Sequence, residues 1–215
     1  MNSVFFQFKK WCKSFPITAA IVAICVVVWL CELIFGNRFF YAGVFEPYLA
    51  TLGFQPWRFI TSLFMHDNSS PLHLLCNMWA FVMTGPIFER FFGPKKYLII
   101  YFGSGILGNI VFAGYYFIFQ YAPFASNYGI DLGYAALLNP VVSLGASGCI
   151  FGLFIGLVLI YKRLGIDAKA LIGMLILNLF IGFMPGLGVA WQAHVGGILG
   201  GFLFTKLAMN NKLKW

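Results

Sequence analysis

The chain has 215 residues, of which 61% are hydrophobic and only 9% charged, with a mean hydropathy of +0.87 and a formal net charge of +8. An average soluble domain carries far more charge, so this composition excludes one and predicts an integral membrane protein. The positive charges lie between apolar segments rather than in a patch, which argues against nucleic acid as a partner and points to membrane orientation.

Lys9, Lys10 and Lys13 precede an apolar run that reaches about Phe35 without a small-x-small cleavage site, so it reads as an uncleaved first membrane helix. A bilayer crossing takes about 20 apolar residues. Runs of that kind lie near 17–35, 72–92, 97–121, 147–161, 168–183 and 192–208. The fold class predicted is an all-α polytopic membrane protein, a six-helix bundle forming one domain over 1–215 with short cytoplasmic tails at about 1–15 and 209–215. The segment "GNRFFYAGVFEPYLATLGFQPWRF" is too aromatic for a solvated linker and is expected to lie in the membrane interface. The "GASG" at the head of the fourth run predicts a helix that starts inside the membrane after a loop dips in.

Twelve of the fourteen Lys and Arg residues fall on one side of this topology, and only Arg38 and Arg58 on the other. By the positive-inside rule the first side, with both termini, is cytoplasmic, and the loops at 36–71, 122–146 and 184–191 face outward. Cys12, Cys25, Cys31, Cys76 and Cys149 are odd in number and scattered, which fits packing rather than a disulfide framework or a metal site.

Counting the helical rise from the charged cytoplasmic ends puts Ser147 roughly 22 Å up its helix, His194 roughly 18 Å, His73 roughly 24 Å and Asn77 roughly 18 Å. Four polar residues from three helices therefore share one layer below the outer surface. Gly148, Gly152 and Gly156 on the fourth run, and Gly197 and Gly201 on the sixth, form small-xxx-small faces that let backbones approach. Such faces also serve plain packing, but here close approach carries His194 to Ser147. A serine hydroxyl becomes a nucleophile when a neighbouring base takes its proton, and His194 is the candidate base. Glu32, Glu46, Asp67 and Asp131 map to the outer surface and Glu89 and Asp167 to the cytoplasmic side, so a dyad is expected rather than a triad. His73 and Asn77, at i and i+4, can face a developing oxyanion together with the Ser147 N–H at its helix start. Phe151, one turn below Ser147, is placed to press its ring on His194. Reading His66, His73 and His194 as metal ligands is set aside, because no carboxylate or HExxH pattern accompanies them. No cofactor is expected.

In order along the chain, "WR" at Trp57 and Arg58, "MH" at Met65 and His66, "HLLCN" from His73 to Asn77, "ER" at Glu89 and Arg90, "GASG" from Gly145 to Gly148 and "AHVGG" from Ala193 to Gly197 resemble the rhomboid intramembrane serine proteases. The resemblance covers nearly the whole chain. It implies a rhomboid-like fold, a Ser147–His194 dyad, an oxyanion site at His73 and Asn77, and structural roles for His66, Trp57 and Arg58. Two departures stand out: Phe151 where many bacterial members have Tyr, and a longer stretch between His66 and His73. The activity implied is hydrolysis of peptide bonds in or near transmembrane segments of other membrane proteins, which would enter sideways from lipid past the fifth helix. The loop "MPGLGVAW", with Pro185, Gly186 and Gly188, has the composition of a cap over the site, although such loops are commonly connectors. A bacterial plasma membrane is the expected location, with the site opening to the outer side. The competing class is a non-catalytic rhomboid-like protein that binds client membrane helices; it needs the fold but not the dyad. A transporter fits less well, since no charged residue maps to mid-membrane and no inverted repeat is present.

Overall fold

Why a chain this apolar folds into helices follows from its solvent: in lipid each backbone N–H and C=O must be satisfied within its own element. A computed structural model of the chain describes residues 2–184 and 188–210. Among those residues the structure is helical, with a single antiparallel bridge between Phe45 and Ser143 in place of any sheet. The elements in order are α1 (Asn2–Ser14), α2 (Pro16–Gly43), α3 (Pro47–Thr51), α4 (Arg58–Thr61), α5 (Leu72–Tyr116), a π-helical turn at Phe117–Tyr121, α6 (Ala122–Tyr128), α7 (Leu132–Leu138), α8 (Ser147–Arg163), α9 (Lys169–Gly182) and α10 (Trp191–Met209).

The long element α5 is two antiparallel arms. At Gly93 the backbone takes φ 75° and ψ 170°, a conformation that only glycine adopts readily, and Pro94 then opens the second arm with its φ already set for a helix. In a straight helix Phe81 and Tyr101 would stand about 30 Å apart. Their ring centroids are 5.1 Å apart, so the chain doubles back. With this fold-back, each of the six apolar runs coincides with a helix or a helix arm. Taken by length and composition, Pro16–Gly43 and the continuous run Leu72–Tyr128 are long and apolar enough to cross a bilayer, and Lys169–Gly182 is a shorter apolar helix.

Tyr97, Tyr101, Phe81, Phe88, Ile100 and Leu153 form the centre of the core, with the Cys25 and Cys149 thiols packed among them. The five cysteines are free, and Cys76 faces outward. The periphery is apolar as well: Val27, Ile34, Leu75, Trp79, Ile176, Phe180 and Phe202 are exposed. A bundle apolar on both faces is matched to lipid, not to water.

Glycine brings α8, α10 and the second arm of α5 together. A Cβ on Gly197 would overlap the Gly148 carbonyl, and one on Gly201 the Gly152 carbonyl. On the other side of α10, a Cβ on Gly196 would lie 2.6 Å from the Leu107 carbonyl and one on Gly200 2.8 Å from the Ser104 Cα.

The segments between the long helices are more ordered than expected from composition. α2 runs on past a kink at Gly36 as far as Gly43, and the stretch 122–146 carries α6 and α7. Glu46 caps α3 by accepting from the Tyr48 and Leu49 N–H groups. Arg58, buried, donates to the carbonyls of Tyr41 and Val44 and to Gln55 Oε1, and so clamps the segment that joins α2 to α4. Trp57 beside it points outward, about half exposed. At the opposite end, Glu89 accepts from the Ile17 and Thr18 N–H groups and the Thr18 hydroxyl, supplying the N-terminus of α2 with the cap its own sequence lacks. Of the expected cap loop, Pro185 and Gly186 lie outside the described residues.

Candidate active site

Ser147 is the first residue of α8. It owes its position to the extended segment before it, which pairs Ser143 with Phe45 through two backbone hydrogen bonds of 2.8 and 2.9 Å and then donates the Gly145 N–H to the Ser62 carbonyl at 2.9 Å. The Ser62 loop is itself held by Asn109, whose side-chain amide donates to the Phe59 carbonyl and the Ser62 hydroxyl. Gly145 has φ 107°, and a Cβ there would fall 2.9 Å from His73 Cε1 and 3.0 Å from its Nε2. Position 145 thus needs glycine twice over, for its backbone angle and for the His73 ring packed on it.

His194, on the first turn of α10, places Nε2 at 2.9 Å from Ser147 Oγ. The ring of Phe151 stacks on the imidazole, centroids 4.1 Å apart and planes inclined by 15°. Its Nδ1 is buried and makes no hydrogen bond among the described residues. Among the described residues no acid steadies this imidazole, so its orientation depends on the serine at one end and the Phe151 ring across its face. Gly148, on the turn that follows Ser147, lies against the Ala193 carbonyl, where a Cβ would sit at 3.5 Å.

His73 and Asn77 are one helical turn apart at the start of α5 and converge on Gly145, since the Cβ position of that glycine is 3.8 Å from Asn77 Nδ2. One Nδ2 proton of Asn77 goes to the His73 carbonyl at 3.0 Å, leaving the second for a ligand. His73 Nδ1 accepts from the Asp67 N–H at 3.3 Å, which assigns the ring proton to Nε2, the nitrogen that faces Gly145. The Ser147 N–H is in the first turn of α8, where backbone donors lack partners within the helix. His73 and Asn77 thus lie against Gly145, two residues before Ser147.

His66 is fully enclosed, its ring 5.2 Å from that of His73, with Nδ1 against the Phe64 carbonyl and its own N–H given to Glu32 Oε1. Burial pushes the His66 imidazole down to about 4, so it is neutral near pH 7. The Asp67 carboxyl is held below the usual carboxylate range by the Ser69 N–H that it accepts. Among the described residues no group of three or more His, Cys, Asp or Glu side chains could hold a metal ion.

The site therefore collects Ser147, His194, His73, Asn77, Phe151, Gly145 and Gly148 in one place, with His66 behind His73. Sequence reading missed Glu32, which it mapped to the outer surface; the carboxyl is fully buried on α2. It also missed Asn109 and the Asp67 N–H. An acid and an asparagine inside apolar runs are costly there, and that cost was the signal available for Glu32 and Asn109.

The rhomboid domain model matches residues 53–211, a span that holds all of these site residues except Glu32. The chain belongs to the rhomboid family. This rhomboid is 30% identical over 215 residues to the rhomboid protein YdcA of Bacillus subtilis, covering 96% of this chain and 95% of that one. It is 30% identical over 151 residues to the rhomboid protease GluP of the same organism, covering 68% of this chain and 25% of GluP. It is 26% identical over 200 residues to the rhomboid protease GlpG of Yersinia pestis, covering 88% of this chain and 62% of GlpG. The chain thus spans nearly all of YdcA but less than two thirds of GluP and GlpG. Family and composition together make this rhomboid an integral membrane protein.

Proposed function

We propose that this rhomboid is an intramembrane serine endopeptidase that hydrolyses peptide bonds in or near transmembrane segments of other membrane proteins. One observation carries the reading: a serine hydroxyl 2.9 Å from a buried imidazole, with the His73 and Asn77 side chains packed against Gly145 two residues before the serine. The named protease relatives support the same class of activity.

Ser147 Oγ attacks the substrate carbonyl carbon while its proton passes to His194 Nε2. The new oxyanion accepts from His73 Nε2, from the free Asn77 Nδ2 proton and from the Ser147 N–H. Collapse breaks the C–N bond, and His194 returns the proton to the departing amine. Water then repeats the sequence on the acyl-enzyme, again through His194, and frees the carboxylate product. Phe151 holds the imidazole in plane for both transfers. A transmembrane helix must unwind locally to offer its carbonyl, so substrates with helix-breaking residues near the cut are expected.

Entry from lipid past α9 is supported by its packing, since only Leu175 and Gly182 of that helix are buried while Ile176, Leu177 and Phe180 are exposed. The excess of Lys and Arg on one side supports six crossings with cytoplasmic termini and an outward-opening site, and a single domain in a bacterial plasma membrane is part of the same proposal. No observation favours the client-binding alternative. The test is cleavage of a reconstituted transmembrane substrate. Ser147→Ala and His194→Ala are expected to abolish it with the fold intact, and Asn77→Ala to slow it about 100-fold as a lost oxyanion donor. Cleavage that survives in either dyad variant would overturn the mechanism.

A further inference from the structure

An imidazole can serve an oxyanion only while the nitrogen facing the pocket carries the proton. We propose that Trp29 and Glu32, on α2 and away from the reacting atoms, are positioning residues that set the tautomer of His73. This rests on the oxyanion role proposed above for His73.

The connection runs through two consecutive residues. His73 Nδ1 is an acceptor because the Asp67 N–H points at it. That N–H is aimed by the backbone around it, which α2 grips at two points. Glu32 Oε1 accepts the His66 N–H at 3.1 Å, and the Trp29 indole N–H donates to the Asp67 carbonyl at 3.1 Å. Three apart on one helix, Trp29 and Glu32 share a face, so they act on the segment together. Within the loop itself, Asp67 Oδ1 takes the Ser69 N–H at 2.8 Å and fixes the turn on the far side.

Neutral imidazole has one N–H and one lone pair. With the Asp67 N–H on Nδ1, the proton stays on Nε2, the nitrogen that faces Gly145. If the 66–67 segment drifts, Nδ1 can keep the proton, and the Nε2 lone pair then faces the oxyanion and repels it. A second observation makes a purely structural account of Glu32 expensive. The carboxyl is fully enclosed, and its Oε2 has no hydrogen-bond partner among the described residues. An apolar residue at that place would pack at lower cost, so what the carboxyl supplies is the acceptor for the His66 N–H.

The test reads the proton directly. Protein labelled with 15N-histidine holds three imidazoles, and a background with His66→Gln and His194→Gln leaves the His73 signals alone. Nitrogen shifts at neutral pH are expected to show an unprotonated Nδ1 and a protonated Nε2. Trp29→Phe and Glu32→Ala, in the same background, are expected to give a mixture of tautomers. With both histidines restored, each variant is expected to lower kcat about tenfold at unchanged KM, a fraction of what loss of a whole oxyanion donor costs. Glu32→Gln retains an oxygen acceptor and should stay within about twofold of the parent. A proton on His73 Nδ1 in the parent overturns the proposal, as does a single Nε2–H tautomer in the variants or an unchanged kcat. Should Glu32→Ala fail to fold, Trp29→Phe decides alone. The tautomer is read without turnover, so cleavage that survives Ser147→Ala would defeat the protease reading while leaving this result standing.

Discussion

Gly197→Ala is the most informative single change in the bundle. Its Cβ would overlap the Gly148 carbonyl oxygen and lie 2.9 Å from the carbonyl carbon and 3.1 Å from the Cα of Gly148. Carbon atoms pack best at about 3.5–4.0 Å, so α10 must move away from α8 by roughly 1 Å at this level. His194 is one turn earlier on the same helix, so the Ser147 to His194 hydrogen bond of 2.9 Å stretches by a similar amount and breaks. A displacement of that size at a reacting pair costs about 100-fold in rate, and overpacking costs about 1–3 kcal/mol of stability. The assay is kcat on a reconstituted transmembrane substrate, with thermal unfolding alongside. Gly173→Ala on α9 is the control, since nothing lies within 4 Å of its Cβ position, and it should leave both readings unchanged or slightly raise stability. Full activity in Gly197→Ala would refute the argument that glycine contact sets the dyad distance.

Three further outcomes are expected. Phe151→Ala removes the only ring stacked on His194 among the described contacts and should lower kcat about tenfold, while Phe151→Tyr, which keeps the ring, should be close to the parent in the same cleavage assay. Glu89→Ala removes three hydrogen bonds from the start of α2 and should cost about 3 kcal/mol in a denaturation series, with the catalytic residues untouched. The third concerns pH. Burial lowers His66 from 6.5 to about 4, so the unfolded chain binds this proton first as the pH falls. The associated stability is complete above about pH 6.5 and is lost progressively toward pH 4, amounting to about 3 kcal/mol. Thermal unfolding of His66→Gln against the parent across that range should show the parent losing about 3 kcal/mol relative to the variant as the pH falls from 6.5 to 4, and a difference that does not change with pH would mean that His66 titrates normally in the fold.

Much of this was legible in the sequence. The apolar runs announce helices because lipid leaves the backbone few alternatives, and the spacing of Gly148, Gly152, Gly197 and Gly201 identifies which helices meet. Ser147, His194, His73 and Asn77 stand out because polar groups are scarce in runs so apolar. What periodicity does not convey is a partner far along the chain. Glu32 meets His66 across 34 residues and Glu89 meets Thr18 across 71, pairings that exist only once the helices have packed. The Asp67 contact to His73 uses a backbone N–H, which carries no residue signature at all. Similarly, the extension of α2 beyond Gly36 is tied down by Arg58 and Thr61, which donate to the Tyr41 and Gly43 carbonyls, and α6 and α7 form in a stretch whose composition suggests a loop.

The central claim is that His194 activates Ser147 for attack on a carbonyl, and the most direct measurement is covalent labelling of the reconstituted protein with a fluorophosphonate, the adduct located by mass spectrometry. The account predicts one adduct, on Ser147, absent from Ser147→Ala and lost or strongly slowed in His194→Ala. An unlabelled Ser147, or labelling that proceeds equally well without His194, would contradict it.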